Sequence, residues 1–291
     1  MSETTLYTRN GDYIPRVAAV HDLCGYGKCS LGVAIPVLSA AGCDVCPVPT
    51  GLFSSHTAFP GWYMHDTTDM LADYLAAWKN IGVEIDAVYS GFLGAPEQVD
   101  RIRDLYAMYP AALRVVDPVM ADHGKVYPTY TPELCDAMAE LACGADILTP
   151  NLTEAAIILG EPIGEDWGGT DISDEEAHRL VDALVAKGAK HVVLKGIQRE
   201  GETCIRNFVG GLGMETVEVH NEYLPYMLHG TGDLYASCLM AAVMAGRSLQ
   251  EAVRFAGDFV HDAMIVSAKQ PEFRDRGVSF EPLLGKVCGL L

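Results

Sequence analysis

Short apolar runs alternate with longer helical patterns along most of this chain. The apolar runs have the length and composition of buried strands, and they cover residues 16–21, 44–48, 87–89, 113–116, 145–148 and 191–196. Stretches with helical spacing lie between and after them, and the clearest cover residues 30–41, 66–80, 174–187, 234–243 and 248–268. About seven strands alternating with helices predict an α/β protein of the three-layer αβα type with a mostly parallel central sheet.

Two features interrupt the alternation without dividing the chain. Apolar runs at residues 204–209 and 214–219 are separated by Gly210 and Gly211, which predicts a β-hairpin. A polar, glycine-bearing insertion covers residues 165–174. Because composition does not change sharply anywhere, we predict a single domain over residues 1–291, with peripheral tails at residues 1–14 and about 271–291.

Composition excludes several classes of partner. The chain has 291 residues, 49% of them hydrophobic, and a formal net charge of −19. So acidic a surface, without a basic cluster, argues against nucleic acid and anionic membranes as partners. The first residues do not resemble a signal peptide, and no run of about 18 apolar residues occurs, so we expect a soluble cytoplasmic protein. Nine cysteines with no paired metal-ligand spacing are expected to be reduced.

The segment His-Gly-Thr-Gly-Asp at residues 229–233 is the strongest candidate for chemistry. Gly230 and Gly232 let backbone N–H groups turn toward a ligand, and the apolar helix predicted at residues 234–243 begins there. A helix N-terminus attracts phosphate oxygens, and Asp233 beside it could accept the proton of an attacking hydroxyl. The segment alone fits better a strand-to-helix turn whose aspartate interacts only with the helix dipole, so the other motifs of the chain must decide.

Polar residues follow the other predicted strands as well. They are Asp22, His56 and Thr57, Phe92 with its neighbouring Ser90 and Gly91, Asp117, Asn151 and Lys195. Right-handed crossovers place the carboxyl ends of parallel strands at one edge of a sheet, so we expect these residues to line one cleft with the 229–233 segment.

Two of these positions also have a purely structural interpretation. Asp117 precedes Pro118, a common turn pattern, and Asn151 with Glu154 matches a helix capping box. The same carboxylates could bind a cation such as Mg²⁺ if they face the cleft. The sequence alone does not decide between these roles.

The motifs together resemble the ribokinase-like superfamily and, within it, the vitamin B6 kinases. They recur in the family's order over about residues 16–270, and they occupy residues 53–57, 90–92, 117–120, 149–154 and 230–233. The resemblance implies phosphorylation of the 5'-hydroxymethyl group of pyridoxal, pyridoxamine or pyridoxine. It also implies ATP and Mg²⁺, a monovalent cation such as K⁺, an ATP-covering loop and a homodimer.

The resemblance also implies a role for each matched residue. Asp233 matches the catalytic base, and Gly230, Thr231 and Gly232 match the anion hole near the ATP phosphates. Asp117 and Glu154 match the acidic positions near the cations, while Asn151 and Lys195 match positions near the ATP phosphates. Thr57, beside His56, matches the residue that reaches the pyridine ring. The family often has Ser at the position of Asp22 and Tyr at that of Phe92, which leaves the preferred B6 form open.

Three other functions are weighed against this one. A hydroxymethylpyrimidine kinase of the same superfamily usually has Cys where Asp233 stands and a more glycine-rich first turn. A sugar kinase would need polar sugar-binding residues near the N-terminus, which are not evident. A non-catalytic B6-binding protein on a kinase scaffold would not need the base at Asp233.

Overall fold

The computed structural model describes residues 4–162 and 172–291. Most of the insertion predicted at residues 165–174 therefore lies outside the described residues. The described strands are Arg16–Cys24 (β1), Asp44–Phe53 (β2), Met64–Asp66 (β3), Ala87–Ser90 (β4), Leu113–Val116 (β5), Ala121–Asp122 (β6), Lys125–Val126 (β7), Ile147–Leu148 (β8), His191–Gln198 (β9), Cys204–Gly211 (β10) and Met214–Glu222 (β11). The described α-helices are Leu31–Ala40 (α1), Thr68–Ile81 (α2), Pro96–Met108 (α3), Pro132–Ala142 (α4), Leu152–Leu159 (α5), Asp174–Ala186 (α6), Thr231–Met244 (α7), Leu249–Ser267 (α8), Phe273–Arg276 (α9) and Leu284–Cys288 (α10).

Nine strands form one sheet in the order β11-β10-β9-β8-β5-β4-β1-β2-β3. The six strands from β9 to β2 pair in parallel, whereas β3, β10 and β11 each pair antiparallel with their neighbours. The mostly parallel sheet and the hairpin of β10 and β11 are confirmed. The predicted number of about seven strands was too low, because β3, β6 and β7 have only two or three residues and show no periodic pattern.

The helices cover both faces of the sheet. One core packs residues of α2 to α6 against the sheet, and the other packs residues of α1, α7 and α8 against its opposite face. Helix α7 is buried at every position from Leu234 to Met244, as expected for a helix that is apolar all round. The three-layer αβα prediction is confirmed. Within the described residues, no helix combines the length and apolar content needed to cross a bilayer.

The C-terminal residues are less peripheral than the sequence indicated. Val278, Phe280 and Val287 are at most 1% exposed and belong to the α7 side of the core. The backbone N–H of Val278 also donates a hydrogen bond to the carbonyl of His229, at 3.0 Å. Part of the segment expected to be a peripheral tail at residues 271–291 thus belongs to the core, and its backbone is hydrogen-bonded to the segment that precedes α7.

Candidate active site

Polar side chains meet where the parallel strands end. Lys195 of β9 forms an ion pair with Asp117, which follows β5. Asp117 is 1% exposed, and its Oδ1 also accepts a hydrogen bond from Thr149, which follows β8, at 2.8 Å. Three neighbouring strands thus deliver one connected polar cluster to this edge, as the parallel topology predicts.

Helix α7 begins at this cluster with its first amides uncapped. Gly230 is the N-cap residue with φ 81°, and no side chain in the described parts of the protein caps the helix. A Cβ at Gly230 would lie 1.7 Å from the carbonyl oxygen of Lys28, so only glycine fits there. At Gly232 a Cβ would meet no described atom within 4 Å. The helix N-terminus can therefore receive an anion from the open side.

The Thr231 hydroxyl is already used by the protein. It donates a hydrogen bond to the carbonyl of Leu228 at 3.1 Å. In this arrangement Thr231 offers a ligand its backbone N–H rather than its hydroxyl group.

Asp233 lies in the first turn of α7. Its Oδ1 is buried and has no hydrogen-bond partner within residues 4–162 and 172–291. Burial, together with the negative charges of Asp117 and Asp22, raises the pKa of Asp233 to about 7. A carboxylate with a pKa near neutrality and an unused oxygen suits a general base.

Asp22 lies near the end of β1 and is buried. Its Oδ1 accepts a hydrogen bond from the Ser30 hydroxyl at 2.5 Å, and burial raises the pKa of Asp22 to about 6. The sequence did not single out Ser30 or Thr149 as site residues. Thr149 lies within the Thr-Pro-Asn motif and could have been included, whereas nothing in the local pattern links Ser30 to Asp22, eight residues earlier.

Asp117 and Lys195 form the charged centre of the cluster. Burial lowers the pKa of Lys195, but the carboxylates of Asp117 and Glu154 outweigh it and leave that pKa above its usual value. Lys195 therefore stays protonated at neutral pH. Asp117 Oδ2 is buried and unpartnered among the described residues, so this oxygen is available to a cation.

Glu154 combines the two roles that the sequence left open. It forms a capping box with Asn151, accepting from the Asn151 N–H at 2.8 Å and donating its own N–H to Asn151 Oδ1 at 2.9 Å. Burial raises the pKa of Glu154 to about 8, with Lys195 opposing and Asp117 adding to that rise. The capping box is thus real, and the same carboxyl group still belongs to the charged cluster.

A metal ion would complete its coordination with ligands from outside the protein. Among the residues that the structure describes, no three His, Cys, Asp or Glu side chains lie close enough to hold a metal ion. The unpartnered Asp117 oxygen and the neighbouring Glu154 fit Mg²⁺, which takes one or two carboxylates and fills its remaining positions with phosphate oxygens and water.

His56 is held by the protein on both ring nitrogens. Its Nε2 lies 2.7 Å from the carbonyl oxygen of Asp275, and its Nδ1 accepts from the Ala58 N–H at 3.3 Å. The ring also stacks on Phe59 and His229, at centroid distances of 4.5 and 4.8 Å. In this state His56 joins the loop after β2 to the C-terminal segment, a role that its sequence position does not indicate.

Thr57 and Phe92 occupy different environments. The Thr57 side chain is exposed, and it makes no side-chain hydrogen bond with residues that the structure describes. Phe92 is buried and packs edge-on against Phe53 and Tyr130, at 5.7 and 5.8 Å between centroids. Thr57 is therefore the more available of the two for a polar contact with a ligand.

Comparisons with known proteins identify the family to which the chain belongs. The family model described as phosphomethylpyrimidine kinase matches residues 36–275. The pyridoxal kinase PdxY of Haemophilus influenzae is 31% identical over 229 residues, which cover 72% of this chain and 75% of that protein.

Two solved structures share the whole architecture. A candidate phosphomethylpyrimidine kinase from Bacteroides thetaiotaomicron, crystallised with pyridoxal, has a TM-score of 0.88 and 34% identity, covering 94% of this chain and 96% of that one. Pyridoxal kinase from Lactobacillus plantarum has a TM-score of 0.86 and 27% identity, covering 96% of this chain and 98% of that one.

The fold and the comparisons define an ATP-dependent kinase with the ribokinase-like architecture. More narrowly, the chain belongs to the phosphomethylpyrimidine kinase family, whose model matches most of its length.

Proposed function

We propose that this kinase transfers the γ-phosphoryl group of ATP to the 5'-hydroxymethyl group of a B6 vitamer, pyridoxal or pyridoxamine. The observation that carries the proposal is the buried, unpartnered Oδ1 of Asp233 in the first turn of uncapped helix α7. A general base beside an anion-binding helix N-terminus is what hydroxyl phosphorylation requires. The names of the Haemophilus and Lactobacillus relatives support the choice of substrate.

Each residue of the cluster has a distinct task in the transfer. Asp233 accepts the proton of the attacking hydroxyl, and the first amides of α7 stabilise the charge that develops on the phosphoryl oxygens. Lys195 stays charged against Asp117 and contributes a fixed positive charge to the same end of the cleft. Asp117 and Glu154 would hold Mg²⁺, which neutralises the phosphate charge when bound.

The substrate end of the site lies at the end of β1 and on the loop after β2. Asp22 offers a buried carboxylate there, and Thr57 offers an exposed hydroxyl. Both can make directed hydrogen bonds to substituents of a pyridine ring. Such bonds discriminate between flat heterocycles better than stacking does.

Glu154→Gln is expected to raise the Mg²⁺ concentration needed for half-maximal rate. The amide keeps the size of the side chain but cannot supply the negative charge that a divalent cation requires. Initial rates measured against Mg²⁺ concentration at saturating ATP give this quantity directly.

The matched control for this change is Glu251→Gln. Glu251 forms the same kind of capping box, with Ser248, at the start of α8. Both variants should lose stability through the altered cap, but only Glu154→Gln should change the Mg²⁺ dependence. An unchanged dependence in Glu154→Gln would leave Glu154 with the capping role alone.

Thr57→Val is expected to raise KM for pyridoxal and leave KM for ATP unchanged. Valine keeps the shape of the side chain but removes the donor, which costs roughly 1–3 kcal/mol if a ring acceptor is left unpaired. Steady-state kinetics with each substrate varied in turn measure both constants. Thr57→Ser restores the hydroxyl and should restore KM, whereas an effect on ATP alone would contradict the assignment of Thr57.

Hydroxymethylpyrimidine is the second candidate substrate, because the matching family model is named for a phosphomethylpyrimidine kinase. Both compounds are flat nitrogen heterocycles with a hydroxymethyl group. The test is to compare kcat/KM for pyridoxal, pyridoxamine, pyridoxine and hydroxymethylpyrimidine with the same ATP. A higher value for the pyrimidine would overturn the choice of vitamer and leave the kinase activity standing.

A homodimer, a cytoplasmic location, an ATP-covering loop and a K⁺ requirement stay predictions.

A further inference from the structure

Ser30 stands at the N-cap of α1 but does not cap it. Serine at this position ordinarily accepts a hydrogen bond from the second or third helical N–H, as Ser173 and Ser248 do at α6 and α8. The Ser30 side chain makes no such bond in the described structure, and its backbone has φ 50° and ψ −129°. Left-handed φ values are costly for a residue with a Cβ, on the order of 1–3 kcal/mol.

In this conformation the Ser30 side chain contacts a buried acidic residue of the site. Its hydroxyl donates to Asp22 Oδ1 at 2.5 Å, and both residues are at most 5% exposed. The Ser30 carbonyl still accepts from the N–H groups of Val33 and Ala34, so α1 begins normally despite the unusual conformation.

A single strained residue thus holds a buried acid that the proposed reaction needs near the substrate. A helix cap alone would not require this geometry, because an ordinary serine cap would satisfy α1 without strain. Residues held in rare backbone conformations gather at functional sites, where the surrounding structure maintains them.

We propose that Ser30 is a positioning residue for the phosphoryl transfer, because its hydroxyl fixes the Asp22 carboxylate toward the substrate. The inference rests on the proposed function, since it assigns Asp22 to the acceptor end of the site. Ser30 itself need not touch the substrate. Its effect passes through the orientation of Asp22.

Ser30→Ala is the first variant to test. It removes the hydroxyl but keeps a Cβ at the same backbone position, and it should raise KM for pyridoxal about 10- to 100-fold, as expected when a hydrogen bond to a charged group is lost. KM for ATP should change by less than about twofold, because a substitution has little effect on a distant group with which it shares no partner. Ser248→Ala is the matched control. Ser248 is also buried, and its hydroxyl donates a hydrogen bond to the Glu251 carboxylate at 2.9 Å. It lies beyond the C-terminal end of α7, far from the proposed site. This variant should leave both constants unchanged.

A double-mutant cycle with Asp22→Ala, which leaves no oxygen to accept the Ser30 hydroxyl, separates positioning from general loss of structure. If Ser30 acts through Asp22, Ser30→Ala should change KM by less than about twofold in the Asp22→Ala background. Equal effects of Ser30→Ala in both backgrounds, or none in wild type, would overturn the inference. Ser30→Gly relieves the backbone strain and should still raise KM, because it also lacks the hydroxyl.

The outcome is distinguishable from failure of the proposed function. If the wild-type enzyme phosphorylates no B6 vitamer, the function is wrong, and the positioning is then read from the ¹³Cγ chemical shift of Asp22 at fixed pH. Ser30→Ala should move that resonance and Ser248→Ala should not. An Asp22 resonance that is the same in all three proteins would refute the positioning role without reference to turnover.

Discussion

Asp233→Asn is expected to lower kcat by about 10²- to 10⁴-fold, the usual contribution of a positioned general base. The amide keeps the shape of the side chain at the start of α7 but cannot accept the hydroxyl proton. In the wild-type enzyme the base must be ionised, and burial raises the pKa of Asp233 to about 7. The wild-type rate should therefore fall as the pH drops below about 7, and the variant should lose this dependence.

The same variant should lose no stability near neutral pH, although its kcat falls. Because the pKa of Asp233 is raised in the folded protein above its unfolded value of 3.8, the native state binds this proton more tightly. This group's contribution to the unfolding free energy thus falls as pH rises from about 4 to about 7. Asp233→Asn should be at least as stable as wild type at pH 8, which urea titration measures.

Asp86→Asn is the control for this change. Asp86 precedes β4 at the opposite edge of the sheet and accepts hydrogen bonds from the Arg16 N–H at 2.8 Å and the Tyr13 hydroxyl at 2.9 Å. Its replacement should lower stability and leave kcat unchanged. Near-normal turnover by a folded Asp233→Asn variant would remove Asp233 from the mechanism.

Gly230→Ala is expected to lower both stability and activity. The new Cβ would lie 1.7 Å from the Lys28 carbonyl oxygen, at a backbone position with φ +81°. The loop of residues 25–28 or the start of α7 must move to admit it, at a cost of roughly 3 kcal/mol or more. A displacement of about 1 Å at the anion-binding amides can lower the rate by about 10²-fold. Thermal unfolding and kcat on the same preparation measure both effects.

Gly232→Ala is the informative partner of this variant. Its Cβ would meet no described atom within 4 Å, and alanine favours a helix over glycine by about 0.5–1 kcal/mol. Stability should be kept or slightly increased. A fall in kcat/KM would then mark Gly232 as a point where phosphate approaches the backbone, whereas full activity would show that the phosphate does not approach there.

The parts of the fold that were predictable have strong local patterns. Strand β5 was predicted with its observed bounds, because Leu113–Val116 is a short run of mostly apolar residues that ends at Asp117. Helix α7 was recognised from its apolar residues, and its true start at Thr231 lies at the glycine-containing segment. The ends of the parallel strands then followed from topology, which is why Asp117 and Lys195 could be placed together before their contact was known.

The rest depends on contacts between distant residues. The hydrogen bond between the His56 ring and the Asp275 carbonyl joins residues 219 positions apart in sequence, and no local sequence pattern predicts it. The buried residues of the C-terminal tail, such as Val278 and Phe280, are too few and too widely spaced to show a period. The conformation of Ser30 is set by the packing of the site around it, so serine before an apolar helix indicates only an ordinary cap.

Product analysis tests the central claim most directly. The enzyme is incubated with ATP, Mg²⁺ and pyridoxal, and the products are followed by ³¹P NMR and mass spectrometry, with Asp233→Asn in parallel. The account predicts one pyridoxal 5'-phosphate for each ADP formed by wild type, and almost none from the variant. ADP formed without a phosphate ester of pyridoxal, or equal ester formation by Asp233→Asn, would contradict it.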